Sequence, residues 1–220
     1  MSTAMKSSIV WDVGCFSIGL ADAPQASTRE DALMGEIYWT ADLHFAHANI
    51  LKHMPARGRQ FVGIEHMENC FIADINHRVE PQDTLVIAGD FCWKASRVGH
   101  FRQRLNVRNI LFTFGNHDAP SARQHFSQAE YMLFPKFNGQ HFHAQHYPLV
   151  SWRKMNHGGI GCYGHSHGMF EEELDRLWPY RNAMDVGIDN AYRLHGVFRP
   201  FHIDEIIERC SNAPERIDHP

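Results

Sequence analysis

The chain has no apolar run approaching the roughly 20 residues that a bilayer-spanning helix needs, so it is not expected to cross a membrane. It has no Lys/Arg cluster either. Its 220 residues carry a formal net charge of −4, which gives no electrostatic footprint for nucleic acid or an acidic membrane surface. Cysteine is scarce: Cys15, Cys70, Cys92, Cys162 and Cys210 are odd in number, widely spaced and without a C-x-x-C pair. That argues against a disulfide framework or a zinc ribbon and favours buried free thiols in a reducing compartment. The first twenty residues fall short of a signal peptide, because Lys6 is their only basic residue and Asp12 interrupts "IVWDVGCFSIGL". The expected location is the cytoplasm. There is no internal repeat.

What remains is an ordinary globular composition, 44% hydrophobic and 21% charged, of a length that suits one domain. Residues 1–35 read as an N-terminal extension: "ADAPQASTRED" (21–31) has the Pro, Ser, Thr and charge content of a linker, and the apolar piece before it could add an edge strand. Residues 36–220 read as the domain proper. "EIYWTAD" predicts a strand. Met67, Phe71, Ile75 and Val79 recur every fourth residue and predict a helix ending before Pro81. "TLVIAGD" predicts a strand buried on both faces, Val98, Phe101 and Leu105 a second helix, and "NILFTFGN" another buried strand. The resulting β-α-β-α-β order implies a sheet with helices packed on it. Asn138-Gly139 predicts a hairpin turn. "GGIGCYGHSH" and "NAMDVGID" read as further strands, "DEIIERC" as a closing helix.

The chain is rich in histidine, with 17 dispersed through it. His165 and His167 alternate in "GHSH", and on an extended strand both rings would leave one face together. Other polar residues gather where strands are expected to end: Asp42 and His44 in "ADLH", Asp90 in "GD", and Asn116, His117 and Asp118 in "GNHD". Strand carboxyl ends are where α/β sheets build ligand sites. Gly89, Gly115 and Gly164 stand just ahead of these residues and allow close approach of the backbone.

The ordered set "DLH" (42–44), "GD" (89–90), "GNHD" (115–118), "HYP" (146–148) and "GHSH" (164–167) resembles the calcineurin-like metallophosphoesterase superfamily, in its small, compact bacterial and phage form. The resemblance spans residues 36–205. It implies a four-layer α/β/β/α sandwich of two mixed sheets flanked by helices. It further implies a centre of two divalent metal ions, Mn²⁺ foremost, with Fe, Zn, Ni or Co as alternatives. Asp42, His44 and His167 would bind one ion; Asn116, His146 and His165 would bind the other; Asp90 would bridge them. Carboxylate, imidazole and amide ligands suit such cations. A metal pair clamps the attacking and leaving oxygens at phosphorus and lowers the pKa of bound water from about 15.7 to about 7. No Ser or Cys nucleophile is then required, and neither a nucleophile elbow nor a Cys/His pair is read from the chain. By the same resemblance His117 would sit beside the phosphate, stabilising charge and protonating the leaving oxygen.

Around this set the readings stay open. Asp118 either orients His117 or caps a following helix. His47 and Asn49 either line the pocket for substrate or cap a helix. Protein phosphatases of the superfamily extend G-D to G-D-x-x-D-R-G; here Trp93 and Lys94 replace the second Asp and the Arg, which argues against a phosphoprotein phosphatase. Lys94 remains a candidate phosphate contact as a point charge. Arg57 and Arg59 read as solvated. His141 and His143 compete with His146, and the "HYPL" context favours His146. Asp185 and Asp189 read as supports of the ligands or as strand-end turns. Trp93, Trp152 and Tyr163 read as core, or else as an apolar wall for a substrate base. Only residues 119–145 and 147–164 separate the later motifs, too little for an inserted cap, so the site is expected to be shallow. The leading function is hydrolysis of small phosphate mono- or diesters, nucleotides among them. A nuclease is the alternative, opposed by the missing basic stripe. A non-catalytic scaffold comes third, opposed by the full ligand set. The expected partner is a small phosphate ester, with oligomeric state left open.

Overall fold

Leu85 and Ile87 point into one apolar layer and Val86 and Ala88 into another, all four fully buried. This alternation makes "TLVIA" the middle of a sheet covered on both faces, as its unbroken apolar run predicts. The structure is a computed structural model that describes residues 35–211. The predicted extension, its linker-like stretch, Cys15 and the last residues of the chain lie outside the described residues.

In chain order the strands are β1 (Ile37–Thr40), β2 (Thr84–Ala88), β3 (Asn109–Thr113), β4 (Gln128–Glu130), β5 (Met132–Leu133), β6 (Lys136–Phe137), β7 (Gln140–Gln145), β8 (Ile160–Tyr163), β9 (Ala183–Asp185) and β10 (Phe201–His202). The first sheet has the order β10-β1-β2-β3-β4, with β1 to β4 parallel and β10 antiparallel to β1. The second runs β5-β7-β8-β9, with β7, β8 and β9 parallel and β5 and β6 antiparallel to β7. Both sheets are therefore mixed. The predicted hairpin joins β6 to β7: Phe137 pairs with Gln140, and Asn138 (φ 47°) and Gly139 (φ 84°) take the two positive φ values that such a turn requires.

The helices are α1 (Ile50–His53), α2 (Pro55–Gln60), α3 (Ile64–Arg78), α4 (Val98–Gln103), α5 (Glu171–Leu177), α6 (Ile188–His195) and α7 (Ile203–Ser211). The fourfold spacing read from Met67 to Ile75 is the buried face of α3, and Val79 caps its end. Met67, Phe71 and Ile75 pack with Val98 and Phe101 of α4 over Leu85, Ile87, Ile110 and Phe112. A second apolar layer fills the space between the sheets, where Trp39, Val86 and Ala88 meet Phe142, Ala144, Ile160, Cys162 and Met184. Ile203, Ile206 and Cys210 of α7 close that layer. Each Val, Leu, Ile, Phe or Met among them contributes roughly 1.5–3 kcal/mol when fully buried. The architecture is the α/β/β/α sandwich expected. Its consequence for function is directional: the parallel strands β1, β2 and β3 of one sheet, and β7 and β8 of the other, all lead into polar loops carrying the predicted site residues.

Candidate metal centre

Asp42 and His44 follow β1, Asp90 follows β2, Asn116 and His117 follow β3, His146 follows β7, and His165 and His167 follow β8. The loops are bent at the candidate ligands themselves. Asp42 (φ 58°), His44 (52°), Asp90 (54°), His165 (68°) and His167 (51°) all lie in the left-handed region. Each such residue costs on the order of 1–3 kcal/mol, and strain of this kind gathers where a site demands it. This corrects the strand reading of "GHSH": β8 ends at Tyr163, and His165 and His167 are aimed by a turn, not by strand alternation. At Gly115 any Cβ would collide with the carboxylate of Asp90, and at Gly89 with the ring of His146, so only glycine lets these loops close on one another.

Asp90 is the hub. Its Oδ2 lies 3.3 Å from His146 Nε2, 3.6 Å from His44 Nε2 and 3.9 Å from His117 Nε2, while its Oδ1 accepts the backbone N–H of His117 at 3.0 Å. Asn116 Oδ1 stands between His146 Nε2 (3.0 Å) and His165 Nδ1 (3.1 Å). Asp42 accepts the backbone N–H of His165 on both carboxylate oxygens, at 3.1 and 3.0 Å. The His44 and His167 rings stack 5.2 Å apart. Asp42, His44 and His167 bring ligand atoms close enough to share one cation, and so do Asp42, Asp90 and His146.

The electrostatics suit cations. Burial, with the Arg57 guanidinium adding, pushes His44 down to about 2, so its imidazole is neutral as a ligand must be. Its Nε2 is buried and has no hydrogen-bond partner. Burial opposes charge on His146, but the hydrogen bond to Asp90 overrides it and lifts the ring to about 9. Burial would raise Asp90 too; the hydrogen bond and charge of His146, then the charge of His44, hold it at about 2. Carboxylates buried among imidazoles make the cluster attractive to positive charge. Two carboxylates, four imidazoles and an amide oxygen, with one imidazole nitrogen unpartnered, fit divalent cations.

The sequence pattern of the calcineurin-like phosphoesterase family matches residues 35–208. The chain belongs to that family. An uncharacterized protein of Methanocaldococcus jannaschii is 29% identical over 177 residues, covering 80% of this chain and 91% of the relative. A protein of unknown function from Aquifex aeolicus shares the fold with a TM-score of 0.62 at 18% identity, over 80% of this chain and 99% of that one. An archaeal phosphodiesterase aligns at a TM-score of 0.41 and 19% identity, over 76% and 98% of the two chains. This phosphoesterase is a metal-dependent phosphoric ester hydrolase. Among its described residues no helix is long and apolar enough to cross a membrane.

Sequence reasoning missed the deepest support of the candidate site. Arg57, expected in solvent, is fully buried. Its Nε and Nη2 donate to Asp189 at 2.8 and 2.5 Å, and Nη2 also donates to the carbonyl of Asp42 at 2.6 Å. Asp189 in turn lies 2.6 Å from His167 Nδ1. Burial opposes ionisation of Asp189, but Arg57 first and His167 second hold it well below the usual carboxylate range. Asp189 thus lies in the first turn of α6 and not at a strand end, and its contact with Nδ1 leaves Nε2 as the free nitrogen of the candidate ligand His167. No local signal marked Arg57, since its partner lies in another part of the chain. Arg57→Leu should leave the buried Asp189 with His167 alone, without the guanidinium, and cost about 3–5 kcal/mol of stability. Urea denaturation checks this; a cost under about 1 kcal/mol would mean that water replaces the guanidinium.

The remaining predicted residues divide. Asp118 meets neither expectation. Its Oδ2 accepts N–H groups of Asp90 (2.6 Å) and Gly115 (2.9 Å), its Oδ1 those of Phe91 (3.0 Å) and Cys92 (3.4 Å), and the 3₁₀ turn beginning at Pro120 has no side-chain cap. It ties the Asp90 loop to the His117 loop. Burial, working against these bonds, raises it to about 6. His47 does line the site, its Nδ1 3.5 Å from that of His44. Asn49 is exposed at the head of α1 without a side-chain capping bond, and Lys94 is exposed. His143 Nε2 pairs with Gln145 Oε1 (3.1 Å), whereas His146, on the loop after β7, faces Asp90. Tyr163 is core and Trp152 donates to the Gly159 carbonyl, but Trp93 is exposed beside the centre, against the core reading. Residues 164–168 also spell G-x-S-x-G, unnoticed in the sequence reading. Ser166 is buried and donates to Asp185 (2.6 Å), so it is no nucleophile, and Asp185 braces the loop by accepting Gly168 N–H (2.9 Å) as well.

Proposed function

We propose that this phosphoesterase hydrolyses small phosphate mono- or diesters, nucleotides among them, with two divalent cations, Mn²⁺ foremost. Asp42, His44 and His167 would hold one and Asn116, His146 and His165 the other, with Asp90 shared. The carrying observation is the Asp90 carboxylate, faced by imidazole nitrogens from three separate loops, one of them buried and unpartnered. When bound, the cations supply Lewis-acid polarisation of the phosphoryl group and acidify water.

The chain's own residues do the rest. Asp90 keeps positive charge together at the centre and, through its Oδ1, fixes the backbone of His117. His117 is partly exposed and its Nε2 faces the centre, where it can give a proton to the departing oxygen. Asn116 and His165 are exposed while Asp42, His44, Asp90 and His146 are buried, so the centre opens on one flank. An open flank admits small esters and accessible phosphates and supplies few contacts that discriminate among them. Cys92, Cys162 and Cys210 are buried and in no disulfide, which supports a reducing, cytoplasmic setting.

The test combines composition and turnover. After saturation with Mn²⁺ and removal of excess, elemental analysis should approach two ions per chain, and chelation should abolish turnover of a panel of mono- and diesters. A content that stays at one with full activity would remove the two-metal reading. No turnover of any ester with Mn²⁺, Fe²⁺, Zn²⁺ or Mg²⁺ would remove the esterase reading itself.

A further inference from the structure

Two aromatic side chains stand at the open rim of the centre, on different flanks. The indole of Trp93 stacks on His47, with ring centroids 4.0 Å and planes 15° apart, and leans on His117 at 4.5 Å. It is nevertheless 44% exposed. The phenol of Tyr147 meets the His165 ring edge-on at 4.5 Å and is 48% exposed. Neither ring belongs to either apolar layer of the core. Both residues are anchored at their main chain: Trp93 N–H donates to the Phe45 carbonyl at 2.9 Å, and the Gln145 side-chain amide donates to the Tyr147 carbonyl. Single exposed aromatics are ordinary on a protein surface. Here one abuts the candidate acid and the other a candidate ligand of the same site.

We infer that Trp93 and Tyr147 select the organic half of the ester, and that the preferred substrate is a nucleotide whose base lies against one of these rings while its phosphate sits among the ligands. The inference takes the position of the phosphate from the esterase reading and adds the class of alcohol. A base stacks on an aromatic face without needing hydrogen-bond geometry. A saturated alcohol such as glycerol presents no such face. Asn116 and His165 open to solvent, so an ester bound there reaches the rim where the two rings stand.

The experiment compares adenosine 5′-phosphate with glycerol 3-phosphate, and the methyl diesters of both, on Mn²⁺-loaded enzyme. The wild type should prefer the nucleoside ester by about tenfold or more, the usual worth of one aromatic stacking platform. Trp93→Ala should cut that preference about tenfold through KM, Trp93→Phe should keep most of it, and Tyr147→Ala should reduce it to a smaller extent. A wild type without preference, or a preference unchanged in both alanine variants, would overturn the inference. Calorimetric titration of the loaded protein with the same two monoesters decides the matter without turnover. Tighter binding of the nucleotide that is lost in Trp93→Ala supports the inference even if no ester is hydrolysed. Equal affinity for the two phosphates overturns it even if both are.

Discussion

Asp90→Asn is expected to abolish nearly all turnover and to lose at least one equivalent of metal, a larger effect than any change at Asp42, His44, Asn116, His146, His165 or His167. Asparagine keeps the shape of the side chain and an oxygen to accept the His117 N–H, now 3.0 Å away. The loop should therefore survive, and the variant isolates the charge. That charge is central: Asp90 Oδ2 lies within 3.9 Å of nitrogens from His44, His117 and His146. At an effective dielectric near 20, a pair of unit charges about 4 Å apart interacts by about 4 kcal/mol. For a single positive charge that is about three orders of magnitude in affinity, and the proposal places two divalent ions there. Elemental analysis and turnover should fall together while the urea midpoint stays near that of the wild type. Near-normal activity in this variant would require the ligand set to be redrawn.

His117→Ala should lower kcat by about 10²–10⁴-fold at unchanged metal content, with the defect growing as the leaving group becomes more basic. The geometry offers two roles for this ring. Its Nε2 lies close enough to His44 and Asp90 to join a cation site, and its position on the open side lets it meet a departing oxygen. The variant separates them. A lost ligand lowers occupancy, and added Mn²⁺ restores the rate. A lost acid leaves occupancy intact and matters little for p-nitrophenyl esters, whose leaving group is stable as an anion. It matters most for alkyl or nucleoside leaving groups. Equal losses across leaving groups would confine His117 to charge stabilisation. The structure also removes one proposed helper: the oxygens of Asp118 are taken up by four backbone N–H groups, so Asp118→Asn should act by loosening the loops.

What the sequence by itself determined is what local chemistry encodes. The unbroken apolar runs of β2 and β3, the fourfold spacing of α3 and the Asn138-Gly139 turn each follow from backbone preferences acting over a few residues. The strand ends pointed to one polar cluster, since strand ends in such sheets converge, and the resemblance of the ordered motifs to the family named the seven candidate ligands within it. Tertiary structure decided what depends on residues far apart in the chain. Arg57 looked like any surface arginine, because nothing near it announces Asp189, 132 residues on. The doublet His165 and His167 suggested an extended strand, but left-handed φ values forced by the closing loops aim both rings instead. Asp118 resembled a helix cap or a histidine partner until the Asp90 loop packed against it. Trp93 resembled core because its type is usually buried, and only the meeting of three loops left it at the rim. Periodicity and turn chemistry are short-range and legible in one dimension; burial, charge pairing and the choice of tautomer are set by neighbours that only the fold supplies.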